Sequence, residues 1–161
     1  MANTPLGDQW LSLVRICTRM NQAIEHTLAD RHGLCVGAYE IMDVMGRTDG
    51  WIRLGELTAR ASRSQPQVSR LLAQMVKEGY ADREPSPGDG RGAQVRLTPA
   101  GRKAFQKAAA EVEGVLEKLA EESTNARALM SRPLPDLDPL SEPDSPSDGK
   151  SPVVSGAGRR G

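Results

Sequence analysis

Hydroxyl, amide and guanidinium side chains are concentrated between residues 62 and 91, where their chemistry suits contacts to phosphates and to the edges of bases. A glutamine amide can both donate to and accept from adenine, and an arginine can bind guanine or a phosphate. Hydroxyls beside the free amides of a helix start can hold a phosphate. The candidate contact residues are Ser62, Arg63, Ser64, Gln65, Gln67, Ser69, Arg70 and Arg91.

Most of these residues lie on a predicted helix-turn-helix. Residues 54–61 predict one short helix. Ser64 begins the next, because Ser64 and Gln67 fit an S-x-x-Q capping box and Gly79 suits a left-handed helix end. The buried stripe of this second helix is expected to be Val68, Leu71, Leu72 and Met75. The exposed residues near its start are therefore placed to enter a major groove.

A hairpin is predicted directly after the second helix. Short strands at 81–84 and 93–97 enclose the Gly- and Pro-rich tip SPGDGRG. Arg91 on this tip has the reach to enter a narrow minor groove, where the negative potential favours a guanidinium. A helix-turn-helix followed at once by such a hairpin predicts a winged helix that binds DNA.

Longer helices are predicted on both sides of this unit. Residues 8–31 carry apolar side chains at three- and four-residue spacing, with Asp8 as N-cap and Gly33 as the end. This helix must pack either on its own domain or on a second copy of the chain. The other predicted elements are a helix at 36–45, a strand at 51–53 and a helix from Thr98 to about residue 120 that frays near Met130. The expected fold class is mainly α with a small β-hairpin wing.

Charge is distributed unevenly along the 161 residues, although the net charge is zero. Residues 47–103 hold eleven basic and six acidic side chains, a local surplus of five positive charges. Such a basic segment suits a polyanionic partner. The segment 131–161 contains six of the eleven prolines among Ser, Asp and Gly, and we expect it to be disordered.

The sequence offers little for catalysis. It has no Ser/His/Asp set, no phosphate-cradling glycine loop and no metal-spaced cluster, so we expect no catalytic residue, cofactor or metal site. Cys17 and Cys35 are isolated, and each is expected to be buried. No apolar run approaches the roughly 20 residues that span a bilayer. The start of the chain lacks the features of a secretory signal, so the expected location is the cytoplasm, without membrane contact.

Residues 8–125 resemble the MarR (multiple-antibiotic-resistance regulator) family of bacterial winged-helix repressors. The resemblance rests on RLGELTARA, SQPQVSRLLAQMVKEGYADR and GDGRGAQVRLTPAGRKA. Asp89-Gly90-Arg91 is similar to the family's D-x-R element, and Leu97-Thr98 with Gly101 is similar to its L-T-x-x-G helix start. The resemblance implies that Asp89 braces the wing while Arg91 enters the minor groove.

The resemblance also implies a nucleoid-associated homodimer that represses transcription from a pseudo-palindromic operator in double-stranded DNA. A small aromatic or phenolic effector would release it, from a crevice lined by Trp10, Arg15, Tyr39 and Trp51. The implied organisation is an N-terminal dimerisation helix (1–34), a winged helix-turn-helix (35–100), a C-terminal dimerisation helix (101–130) and the tail (131–161).

Two departures from the family pattern affect these expectations. Gly90 stands where the family often has a second basic residue, which predicts weaker wing contacts. The family's final helix is expected to be missing, because the chain runs into RPLPDLDPLSEPDSP. The alternative functions are a protein-docking winged helix, a nonspecific DNA binder and a redox sensor. The last would use Cys17, which lies on an apolar stripe rather than in the electropositive setting that a reactive thiolate needs.

Overall fold

The computed structural model describes residues 4–88 and 91–131, which form six helices and one three-stranded sheet. The elements in chain order are α1 (Pro5–His32), α2 (Val36–Arg47), β1 (Ile52–Arg53), α3 (Leu54–Arg60), α4 (Gln65–Lys77), β2 (Ala81–Pro85), β3 (Ala93–Leu97), α5 (Pro99–Glu122) and α6 (Thr124–Met130). The predicted fold class is confirmed. The tail prediction lies outside the described residues, apart from Ser131.

Helix α1 begins earlier than the sequence predicted. The Thr4 hydroxyl accepts a hydrogen bond from the Gly7 N–H at 3.1 Å, and Pro5 occupies the first turn. The prediction of Asp8 as N-cap is wrong, since Asp8 lies inside the first turn. A Thr followed by Pro is the stronger start, because the missing N–H of proline costs nothing there. The predicted end is confirmed, with Gly33 in the left-handed region at φ +62°.

Helix α4 has the predicted signals at both of its ends. The Ser64 N–H donates to Gln67 Oε1 at 3.3 Å within the capping box. At the other end the Tyr80 N–H donates to Met75 O at 2.8 Å, and the Gly79 N–H donates to Val76 O at 3.1 Å. This bonding pattern is a Schellman motif, and it requires the φ of +78° that Gly79 adopts.

The sheet is antiparallel throughout, in the order β1-β3-β2. Strand β1 pairs Ile52 with Val95, and β2 pairs Asp82 with Arg96. The β2–β3 hairpin is the predicted wing, so β1 joins the wing to the helix-turn-helix.

One apolar core lies beneath α2, α3, α4, the sheet and the first half of α5. Its fully buried large side chains are Leu28, Ile41, Met42, Met45, Ile52, Leu57, Val68, Leu72, Met75 and Val95. Leu71, expected to be buried, is half-buried. On α5 the core side chains are Ala108 and Val112.

Most of the apolar stripe of α1 faces outwards in the single chain. Leu28 is the only buried residue of this helix, whereas Trp10 is 62% exposed and Leu13 is 43% exposed. Both cysteine predictions are wrong, since Cys17 is exposed and Cys35 is half-buried. The periodicity identified the apolar face correctly but could not say what covers it.

The chain does not fray after α5. The Ser123 hydroxyl accepts from the Ala126 N–H at 3.2 Å and starts the short helix α6. Arg127 Nε donates back to Ala120 O at 2.9 Å, which satisfies a carbonyl at the end of α5. A final helix is therefore present in shortened form, and its expected absence is wrong. In the described part of the chain, no helix is long and apolar enough to cross a membrane.

Candidate nucleic-acid interface

Helix α4 presents polar side chains to solvent near its start. Gln65, Gln67 and Arg70 are exposed, and Ser69 is half-buried. On the opposite side of α4, Val68, Leu72 and Met75 are fully buried in the core. The helix is thus fixed from behind while its candidate base-reading residues remain accessible.

Gln67 has a structural role that restricts its hydrogen bonding. Its Oε1 accepts from the Ser64 N–H at 3.3 Å, so the side-chain amide offers its N–H donors outwards. Bidentate recognition of adenine needs an acceptor as well as a donor. Of the two glutamines at the start of α4, Gln65 is therefore the better candidate for reading adenine.

The turn before α4 is held in place by an ion pair that the sequence reading missed. Arg63 Nε donates to Glu40 Oε2 on α2 at 2.7 Å, and the two side chains are only 29% and 35% exposed. Ser62 in the same turn has a φ of +47°, in the region that favours glycine. No local pattern links Arg63 to Glu40, because helix packing alone brings them together.

The wing is braced by two cross-strand pairs. Arg96 Nε donates to Asp82 Oδ2 at 3.0 Å, and Gln94 Nε2 donates to Glu84 Oε1 at 2.6 Å. Arg96 also lies over the Trp51 ring, with its Cζ atom 4.5 Å from the centroid. Arg91 is exposed at the tip of the wing. Asp89, predicted to brace this tip, lies outside the described residues.

The end of helix α4 is joined to the start of α5 by a compact set of hydrogen bonds. Thr98 Oγ1 donates to Gly79 O at 2.6 Å and accepts from the Gly101 N–H at 3.0 Å, while the Thr98 N–H donates to Tyr80 O at 3.0 Å. A Cβ atom at Gly101 would overlap the Tyr80 carbonyl. The hydrogen bonds of its side chain explain the Thr of the L-T-x-x-G pattern. The close contact with the Tyr80 carbonyl explains the Gly.

The four residues predicted to line an effector crevice have different environments. Trp10 and Arg15 are exposed on α1, and Trp51 lies under Arg96. The Tyr39 ring is 5.1 Å from that of Phe105. Burial, assisted by two carboxylates nearby, raises the pKa of Tyr39 above its usual value, so this phenol stays protonated at neutral pH.

An open cleft of about 620 Å³ lies elsewhere, between α1, the start of α2 and the turn before α4. It is lined by Thr18, Asn21, Gln22, Glu25, His26, Val36 and Arg63, and by none of the four predicted residues. Its volume falls in the range of small-molecule sites. Within residues 4–88 and 91–131, no cluster of acidic, His or Cys side chains could hold a metal ion.

The sequence model of the MarR family matches residues 32–92, from the end of α1 to the wing. No curated protein sequence matches the chain.

Three solved structures illustrate the likeness of the fold. A MarR family transcriptional regulator from Streptomyces coelicolor in complex with DNA is 19% identical, with a TM-score of 0.68 over 80% of this chain and 84% of that one. A mutant MarR from E. coli complexed with operator DNA is 20% identical, with a TM-score of 0.63 over 79% and 89%. CouR from Rhodococcus jostii RHA1 bound to p-coumaroyl-CoA is 17% identical, with a TM-score of 0.65 over 81% and 91%. The resemblance is confirmed: residues 32–92 match the sequence model of the MarR family, and the chain has the fold of MarR-family transcriptional regulators.

Proposed function

We propose that the chain is a sequence-specific DNA-binding repressor of transcription that acts in the cytoplasm, at the nucleoid. The observation that carries this proposal is the exposed polar start of α4, fixed from behind by its buried stripe and followed by a wing with Arg91 exposed at its tip. The S. coelicolor and E. coli proteins, which share this fold, were both solved with DNA. Because this fold presents a surface suited to binding, catalysis is the weaker interpretation of its function.

In the proposed complex α4 lies in a major groove, where Gln65 and Arg70 contact base edges. Ser62, Ser64 and Ser69 contact phosphates near the start of the helix, where free amides and hydroxyls favour an anion. Arg63 adds positive charge from a fixed position, because Glu40 holds its guanidinium. Arg91 enters the adjacent minor groove, and Asp89 is proposed to brace it.

We further propose that the chain acts as a homodimer. Large apolar side chains on α1 are exposed in the single chain: Leu6, Trp10, Leu13 and Val14. Contiguous exposed apolar surface of this kind marks an interaction site. A two-fold dimer formed through this stripe would present two copies of α4 to a pseudo-palindromic operator.

The open cleft beside Arg63 supports release by a small-molecule effector. It touches α1 on one side and the turn before α4 on the other, so a ligand there would act on both. CouR is bound to a coenzyme A ester of an aromatic acid, which favours an aromatic effector here. Trp10, Arg15, Tyr39 and Trp51 line no part of this cleft, so they are the weaker candidates for contact with that ligand.

Fluorescence anisotropy with the DNA upstream of the protein's own gene tests the function. Tight binding that random DNA cannot displace, and that weakens steeply with salt, is expected. Arg91→Gln should weaken binding at most sequences and lower the salt slope by about one. Lys107→Gln on α5 removes a charge away from the wing and serves as the control. Weak and equal binding to every sequence would favour the nonspecific or protein-docking alternatives.

A further inference from the structure

Three side chains connect all three strands of the sheet on one of its faces. Trp51 immediately precedes β1, Arg96 lies on the central strand β3, and Asp82 lies directly opposite it on β2. The Arg96 guanidinium is 4.5 Å from the centroid of the Trp51 ring and donates to the Asp82 carboxylate at 3.0 Å. We call these three residues the wing clamp.

The clamp uses both the planar face and the edge of the Arg96 guanidinium. A guanidinium binds an aromatic ring through its planar face and a carboxylate through its edge, so one side chain can hold both partners. The aromatic ring belongs to the segment that leads into the helix-turn-helix, and the carboxylate belongs to the outer strand of the wing. Breaking the contact with the ring would remove a link between the β2–β3 hairpin and the segment that leads into α3, and the Asp82 carboxylate orients the guanidinium for that contact.

We propose that the wing clamp fixes the direction of the wing and thereby positions Arg91 on DNA. Arg96 is then a positioning residue that does not touch DNA, although it belongs to the basic segment. The inference rests on the proposed function. It assigns Trp51 to the wing rather than to an effector site.

The first test uses the free protein and measures the rate of tryptic cleavage after Arg91. Cleavage of a locally opened segment follows the population of the open form. Trp51→Leu should therefore raise this rate by about fivefold, the effect expected when one exposed cation–π contact is lost. Lys107→Gln changes an exposed side chain on α5, away from the wing, and should leave the rate unchanged. Equal cleavage rates in the unaltered protein, Trp51→Leu and the control would contradict the proposal that the clamp holds the wing.

Arg96→Gln provides a second variant whose folding is secure, since Arg96 lies on the sheet surface with its side chain 47% exposed. It should raise the same cleavage rate by a similar factor. In the double variant with Trp51→Leu, the two effects should not add fully, because both changes remove the contact between Arg96 and the Trp51 ring. Fully additive effects would show that the two residues act separately and would overturn the proposal.

The second test separates positioning from direct contact on DNA. Arg96→Gln should weaken operator binding by about fivefold, the effect of losing the exposed cation–π contact that orients the wing, while keeping the salt slope of the unaltered protein. Arg91→Gln, in contrast, should lower the slope by about one. If Arg96→Gln lowers the slope as Arg91→Gln does, Arg96 contacts phosphate and the inference is wrong.

Tryptophan fluorescence follows the clamp in the bound state. Trp51 and Trp10 are the chain's two tryptophans, so a Trp10→Phe background reports on Trp51 alone. If Arg96 stays on the ring, operator DNA should leave acrylamide quenching of Trp51 no stronger than in the free protein. Stronger quenching on DNA would mean that Arg96 has left the ring, which contradicts the proposal.

The outcomes distinguish the inference from the function on which it rests. An unaltered protein that binds no DNA specifically would overturn the proposed function, and the DNA role of the clamp with it. Clamp variants that bind the operator as tightly as the unaltered protein would overturn the inference alone.

Discussion

Replacing Gly101 by alanine should destabilise the protein, although alanine is the better helix former. Gly101 lies in the first turn of α5, directly against the backbone of Tyr80. An added Cβ would overlap the Tyr80 carbonyl, which cannot rotate away as a side chain would. The start of α5 must therefore move.

The expected cost follows from what that movement disturbs. Inserting a methyl group into a packed site costs about 1–3 kcal/mol. The displaced carbonyl also accepts the Thr98 N–H at 3.0 Å, and a lost hydrogen bond costs about 1 kcal/mol. Alanine returns at most about 1 kcal/mol through its helix propensity. The net destabilisation should thus be about 1–3 kcal/mol.

Urea unfolding at one fixed protein concentration measures this cost, since a dimer's stability depends on concentration. Gly114→Ala lies in the same helix, and Gly55→Ala lies in α3. A Cβ at either position would meet no other part of the chain within 4 Å. Both controls should gain about 0.5–1 kcal/mol. If Gly101→Ala matched them, the close approach to Tyr80 would not constrain α5.

Three further outcomes are expected. Gln67→Glu should keep the melting temperature, because a carboxylate can still accept the Ser64 N–H. It should nevertheless weaken operator binding by about tenfold or more, because the amide donors are lost. Unchanged affinity would exclude Gln67 as a DNA contact. The raised pKa of Tyr39 predicts stability that is fully present below its ordinary pKa of 10.0 and is lost as the pH rises through the folded-state value. Between pH 8 and pH 11 the protein should accordingly lose more stability in urea than Tyr39→Phe, and parallel losses would contradict this. Leu13→Asp should convert the dimer to a monomer in sedimentation, since a charge would enter the proposed interface, and an unchanged mass would place the dimer contact elsewhere.

The winged helix could be predicted because its signals are local. The capping box at Ser64 and Gln67, the left-handed Gly79 and the Gly- and Pro-rich wing tip each act within a few residues. Such features depend on hydrogen bonds that the neighbouring sequence determines. The strands that flank the tip were accordingly placed to within one residue.

The features that could not be predicted depend on tertiary packing. The Arg63–Glu40 ion pair and the stacking of Arg96 on Trp51 join residues from different elements. No spacing rule in one sequence relates such residues. Likewise, the stripe on α1 showed an apolar face but not its partner, so Cys17 was wrongly expected to be buried. The DNA contacts themselves remain predictions.

Two separate sets of polar contacts hold the ends of α4, and each connects the helix to a different part of the molecule. The Thr98 junction joins the end of α4 to α5, so a rotation of α5 in the proposed dimer would be carried to α4. The Arg63–Glu40 pair joins the start of α4 to α2 at the edge of the open cleft. A ligand in that cleft would therefore act first on the start of α4, where the side chains proposed to contact bases lie. It would need no movement of α5 to weaken DNA binding.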